Sequence, residues 1–363
     1  MSGPIARYGG DDLPYHMANL PQPEGFERVI MLASNEGAFG PSPKAVAAIR
    51  AMLDDLHRYP EVVLGDFMQA LAEHSGRELS RLVVGPGSDE LLTRLVHAYA
   101  GPGDELVHSA HCYGKFPIYA RMAGAAPVAA PDRDFRVDVD AVLSCLTERT
   151  RIVLLANPDN PTGAWISGAE LRRLHAGLPD HTVLAIDGAY TDYVSDPDYE
   201  DGMALAASAN NVVVLRTFSK IYGLAGLRLG WLFGPPEVVA VLGRLGLTFP
   251  LSNAAVAGGI AALEDSEFTA RARQHNLTWR ARFSGQLEDL GLFVYPSQTN
   301  FVLTRFPDSG ARSAEAANRF LLSRGIIARR FNQPDYEDCL RISIGQDFEM
   351  QATNAALGEF LAD

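Results

Sequence analysis

The chain has 363 residues and a formal net charge of -13, from 31 Lys and Arg against 44 Asp and Glu. Its 47% hydrophobic and 21% charged content is that of a globular protein long enough for two domains sharing a substantial core, and excludes a disordered chain. The acidic balance, with no basic run to offset it, argues against nucleic acid or an anionic membrane surface as a partner.

Cys112, Cys145 and Cys339 are an odd number at wide spacing and match neither a disulfide framework nor a zinc motif, so no metal is expected and a reducing cytoplasm is the expected home. Met1 to Gly10 lacks an apolar signal core, and no stretch approaches the ~18 consecutive apolar residues of a membrane span.

Residues 1 to 30 hold several Pro and Gly without a sustained period, and form an expected arm in which Tyr15 stands out. Leu32 to Pro43 is a polar, turn-rich loop. Ser42-Pro43 then caps a helix expected from about Lys44 to Leu56, ended by His57-Arg58-Tyr59-Pro60. A second helix is expected over Val63 to Ser75, and Arg81 to Val84 is a short strand entering Gly85-Pro86-Gly87-Ser88-Asp89-Glu90. The G-x-G-x-x-G spacing of a dinucleotide fingerprint fails at Glu90, but a strand, a tight glycine turn and a helix start still offer free N–H groups of Ser88 and Asp89 to an anion. A purely structural turn is the competing explanation.

Asp104 to Ser109, Ala126 to Ala130, Thr150 to Ala156, His181 to Asp187 and Asn211 to Thr217 are short apolar runs of the kind buried on both faces. Strands alternating with helical segments indicate an α/β sandwich. Asn160 follows one strand end in Asn157-Pro158-Asp159-Asn160-Pro161-Thr162-Gly163, and Asp187 closes another. A carboxylate there is costly unless it meets a cation or caps the next helix.

The run Val212 to Leu215 delivers Thr217, Ser219 and Lys220 into a glycine-rich turn, with Arg228 eight residues beyond Lys220. Most lysines are solvated surface charges. A nucleophilic lysine needs burial or a neighbouring cation to depress its pKa, and this setting offers both, with the Thr217 and Ser219 hydroxyls placed to hold a phosphate. After the strand Leu229 to Gly234, helices are expected from Glu237 to Leu245 and from Asn253 to Leu290. Strands over 292–305 and 339–344 flanking a helix at Ala314 to Ser323 indicate a smaller α+β unit.

In this order, Leu32 to Pro43, Arg58-Tyr59-Pro60, Gly85 to Glu90, Asn157 to Gly163, Asp187 to Tyr190, Thr217 to Arg228 and Leu340-Arg341-Ile342-Ser343 resemble the fold-type I pyridoxal-phosphate enzymes, and among them the histidinol-phosphate aminotransferases, over nearly the whole chain. The resemblance implies an aspartate aminotransferase-like α/β domain with a mixed, mostly parallel sheet over 45–255, and a smaller α+β domain from 1–44 and 256–363.

It also implies pyridoxal 5'-phosphate as cofactor. Lys220 would be its covalent anchor and the acid/base, and Asp187 would partner the pyridine nitrogen. Tyr113 would stack on the ring, although a simply buried tyrosine is an alternative there. Asn160 and Tyr190 would bind the phenolic oxygen. Ser88, Asp89, Thr217, Ser219 and Arg228 would hold the phosphate. Tyr59 would come from a second subunit of a homodimer.

For the substrate, the resemblance implies Arg341 for a carboxylate and Arg329 for the phosphate of histidinol phosphate, with Arg330 in its place if the register slips by one. Tyr15 and Asn35 would stand beside them. The reaction implied is a ping-pong exchange between histidinol phosphate and 2-oxoglutarate in histidine biosynthesis. Its rivals are an aromatic amino acid aminotransferase, a decarboxylase of a phosphorylated amino acid and a non-catalytic cofactor-binding sensor. Two positions depart from the family pattern: Gly188 stands where Asp-Glu-Ala-Tyr carries glutamate, and Gly37-Ala38 replaces the second half of Asn-Glu-Asn-Pro.

Overall fold

The computed structural model describes residues 23, 25–61, 64–307, 310–331, 333 and 335–362. Tyr15 lies outside the described residues.

A seven-stranded sheet runs in the spatial order Leu82–Gly85, Gly230–Phe233, Val212–Thr217, Val183–Asp187, Thr150–Ala156, Glu105–Ser109 and Ala126–Ala130. Gly230–Phe233 is antiparallel to both neighbours, and the other pairings are parallel. The aliphatic runs suit this arrangement because helices cover both faces. Val212 and Val214 enter one core with Phe67, Leu171 and Phe218, while Val213 and Leu215 enter the opposite core with Leu92, Leu95 and Phe116. The parallel strands therefore end along one edge, where their polar punctuation collects.

The second layer is an antiparallel sheet ordered Phe293–Val294, Phe301–Arg305, Cys339–Ser343, Arg329–Arg330. It shares a core with the helices Ser266–Asp289, Ala314–Ser323 and Asp347–Ala362 through Phe283, Leu321, Ile342 and Leu357. Ile30–Met31 pairs in parallel with Ile326–Ile327. Leu32 continues that contact, its N–H donating to Ile327 O at 2.8 Å and its carbonyl accepting from Ser343 N at 2.9 Å. The following loop is thereby drawn between the two layers.

The single helix expected over Asn253 to Leu290 is two. Asn253–Leu263 buries Ala255, Ala262 and Leu263 in the core of the large sheet, whereas Ser266–Asp289 belongs to the small layer. The break at Glu264 and Asp265 is where the chain changes layer, and Asp265 is fixed there by an ion pair with Lys44 at 3.7 Å. The terminal helix Asp347–Ala362 and the short strands Ile30–Met31 and Ile326–Ile327 extend beyond the elements expected from the sequence. Among the described residues no helix is long and apolar enough to cross a membrane.

Candidate active site

The ends of Val212–Thr217, Val183–Asp187 and Thr150–Ala156 bring Lys220, Asp187 and Asn160 to the same sheet edge. Lys220 Nζ donates to Ser34 O at 3.1 Å and lies 5.7 Å from the centre of the Tyr190 ring. Burial, then the Arg341 guanidinium, lowers its pKa to about 8. Asp187 is buried, and its Oδ1 accepts from Ala189 N at 3.1 Å. Burial pushes that carboxyl up to about 7. A base and an acid are thus moved toward each other in pKa, the pattern of a reactive centre.

An anion cradle lies beside them. In the ladder Thr217 faces Gly230, and Gly230 faces Gly85, which sets the Gly87–Ser88 turn against the end of the lysine strand. A Cβ on Gly230 would stand 2.7 Å from both Gly87 C and Ser88 N, so only glycine lets the turn seat there. The helix Ser88–Tyr99 begins at this point with its first-turn N–H groups lacking intrahelical acceptors. Thr217 Oγ1 donates to Ser219 Oγ at 3.0 Å, and Arg228 Nη1 donates to the same oxygen at 3.4 Å. Asp89, in the first helical turn, accepts from the Tyr119 hydroxyl at 2.6 Å. Tyr113 is half-buried and meets Phe116 edge-on at 5.9 Å.

Four consecutive residues of the loop after Leu32 each tie down a different group. Ala33 O accepts from Arg341 Nη2 at 2.6 Å, and Ser34 O accepts from Lys220. Asn35 Nδ2 donates to the Tyr190 hydroxyl at 2.9 Å, and Glu36 O accepts from Asn300 Nδ2 at 3.1 Å. Arg341 Nη1 also donates to Asn160 Oδ1. Sequence reasoning missed Ser34, Asn300 and Ser343 because one acts through its backbone carbonyl and the other two through side chains whose partners are distant in sequence.

The two departures from the family pattern have spatial reasons. A Cβ on Gly37 would fall 2.7 Å from Lys220 O, and one on Gly188 would meet Thr191 Oγ1 at 2.8 Å and Arg216 Cδ at 3.1 Å. Arg216 is itself paired with Asp192 at 2.6 Å and Asp201 at 3.6 Å. The Thr191 hydroxyl and the Arg216 stem already occupy the space into which a side chain at 188 would grow.

Arg329 and Arg341 are direct partners in neighbouring strands and so share a face. Their guanidiniums lie 5.7 and 5.6 Å from the centre of the Phe331 ring. Arg330 pairs with Leu340 on the opposite face, 3.9 Å from Glu315 Oε2. Alternation thus places Arg329, and not Arg330, beside Arg341. Tyr59 is not gathered in: it is 79% exposed and stacks on Phe249 at 4.3 Å.

The family model for aminotransferase class I and II matches residues 27–357. The histidinol-phosphate aminotransferase of Rhodospirillum centenum is 48% identical over 361 residues, 99% of each chain, and that of Paramagnetospirillum magneticum is 46% identical with the same coverage. The crystal structure of histidinol-phosphate aminotransferase from Sinorhizobium meliloti in complex with pyridoxal-5'-phosphate superposes with a TM-score of 0.86 at 32% identity, covering 92% of each chain. With its mixed sheet, its small layer and its lysine-centred edge arranged in this way, the chain belongs to the aminotransferase class I and II family, on the aspartate aminotransferase fold.

Proposed function

We propose that the protein is a pyridoxal-phosphate-dependent aminotransferase that moves an amino group between L-histidinol phosphate and 2-oxoglutarate by a ping-pong mechanism, in histidine biosynthesis. The observation that carries the substrate is the register pair Arg329 and Arg341, two guanidiniums on one face beside the Lys220 centre. The names of the full-length relatives support the same reading.

The residues fit the cofactor. Asp187 is a buried carboxylate with a raised pKa, and a protonated pyridine nitrogen would supply the cation that keeps it ionised. The Gly87–Ser88 turn, Thr217, Ser219 and Arg228 match a phosphate in size and charge, the Ser88 and Asp89 N–H groups completing the cradle. When bound, the cofactor supplies an electron sink for the pair left at the substrate carbon after loss of its proton.

The protein's own groups do the rest. Lys220 would hold the cofactor and, once free, would serve as the base that takes the proton from the substrate carbon and as the acid that returns it, a task suited to an amine whose pKa is lowered to about 8. Tyr190 and Asn160 would hold the ring oxygen, and Tyr113 would stack on the ring. Arg341 takes glutamate's α-carboxylate as a fork. Arg329 takes the phosphate of histidinol phosphate and, in the other half-reaction, glutamate's second carboxylate, with Tyr15 as an added partner. Asn35 stands beside this pocket and holds Tyr190.

We read the chain as two domains, 45–255 extended through the helix ending at Leu263, and the arm joined to the C-terminal part. Leu53, Leu56, Tyr59, Leu245 and Leu247 expose apolar side chains on two segments joined by the Tyr59–Phe249 stack. This face supports a homodimer in which Tyr59 reaches the cofactor of the other subunit. The free cysteines support a reducing cytoplasm.

Initial rates with 2-oxoglutarate as acceptor test the substrate. A higher kcat/KM for histidinol phosphate than for phenylalanine is expected. Preference for phenylalanine overturns the assignment in favour of an aromatic aminotransferase, and release of carbon dioxide in place of glutamate indicates a decarboxylase.

A further inference from the structure

Asn35 is buried and has φ of 56°, a left-handed backbone that few residues other than glycine adopt without a local reason. Its surroundings supply one. Its backbone N–H donates to Ser343 Oγ at 2.9 Å, and Ser343 Oγ is also 3.1 Å from Asn35 Oδ1. Asn300 Nδ2 donates to Asn35 O at 3.0 Å and to Glu36 O. Ser343 is the last residue of the strand that carries Arg341, and Asn300 immediately precedes the neighbouring strand.

These contacts form one continuous donor–acceptor sequence from Ser343 through Asn35 to Tyr190. The Ser343 oxygen accepts from the Asn35 backbone N–H, and its own hydroxyl donates to Asn35 Oδ1. With the carbonyl end of the Asn35 amide thus assigned, the end facing Tyr190 is the NH2 group, which also only donates. The Tyr190 oxygen therefore accepts from Asn35, and its hydroxyl hydrogen is turned elsewhere.

We propose that Ser343 and Asn300 are positioning residues that clamp Asn35 so that its amide donates to the Tyr190 hydroxyl, leaving that hydroxyl's own hydrogen directed at the ring oxygen of the bound cofactor. The clamp also ties the strand that carries the substrate arginine to the group that sets the cofactor's charge. This rests on the assignment of Tyr190 to the ring oxygen made above. A hydroxyl that accepts from an amide is a better donor in turn. It draws charge from the ring oxygen, which then stabilises less well a proton on the lysine nitrogen joined to the cofactor.

The test is a pH titration of the visible absorption of the cofactor-loaded protein, without substrate. Ser343→Ala is expected to raise the apparent pKa of the chromophore by about half to one unit, the weight of one hydrogen bond, while Ser343→Thr, which keeps the hydroxyl, restores the wild-type value. Asn35→Gly keeps the left-handed backbone, removes the amide and is expected to shift the titration the same way, so the proposal stands on a second variant if Ser343→Ala binds cofactor poorly. Tyr190→Phe should shift it at least as far. A shift in Tyr190→Phe with wild-type titration in Asn35→Gly overturns the clamp alone. No shift in Tyr190→Phe overturns the placement of Tyr190 itself, and the clamp with it.

Discussion

At the scale of single residues the centre is defined by two groups whose burial works against their charge. Lys220 titrates near 8 where a solvated lysine titrates at 10.5. The rate at which the apoprotein captures pyridoxal phosphate is accordingly expected to rise with pH and level off above about 8. A profile still climbing toward the ordinary lysine value would show that Lys220 is not the nucleophile. Asp187 carries the opposite sign. Its folded pKa near 7 lies above the unfolded value of 3.8, so the folded apoprotein binds the proton more tightly and loses stability as pH rises through that window. Asp187→Asn should remove this slope and raise the apoprotein's Tm at pH 8, while lowering turnover by about 100-fold or more. Equal changes in Tm between pH 5 and pH 8 for wild type and variant would exclude Asp187 as the source of the slope.

At the scale of elements, specificity depends on which way two consecutive arginines point. Arg329 faces Arg341 and Arg330 faces Glu315. Arg329→Gln is therefore expected to raise KM for histidinol phosphate by about 10- to 100-fold, from the loss of a charge-assisted hydrogen bond. Arg330→Gln should leave KM within about twofold. Steady-state kinetics with both variants decides, and the reverse ranking would mean that the strand is slipped by one residue. The sequence left this choice open because Arg329–Arg330 is too short a strand for alternation to be visible. By contrast, the strands that end at Ala156, Asp187 and Thr217 were legible, since long aliphatic runs closed by polar turns carry their own signal. The helix Asp347–Ala362 was not. Its buried face is Met350, Thr353, Ala356 and Leu357, two of them small or polar, so the apolar stripe is faint. The break at Glu264 and Asp265 was hidden for another reason: helix-forming residues continue on both sides, and the need to cross between layers sets the boundary.

At the scale of the whole molecule, the unplaced member of the set is Tyr59. It points into solvent from an apolar face, while the groups it is expected to serve are gathered within the same chain at the sheet edge. In the proposed homodimer each centre would combine Lys220 of one subunit with Tyr59 of the other. Two variants that each damage one contribution, Lys220→Ala and Tyr59→Ala, then complement in a predictable way. A mixed dimer has one centre with neither group and one with both, because the intact lysine and the intact tyrosine meet only across the interface. Co-refolding the two variants in equal amounts should yield half mixed dimers, each with one intact centre, and so about a quarter of wild-type activity. If Tyr59 served its own chain, no centre in any mixed dimer would regain both groups, and the activity would stay at the average of the two variants. Dilution distinguishes the dimer from a larger assembly: recovered activity that falls together with the mass measured by light scattering to that of one chain assigns the shared centre to the apolar face formed by Leu53, Leu56, Tyr59, Leu245 and Leu247.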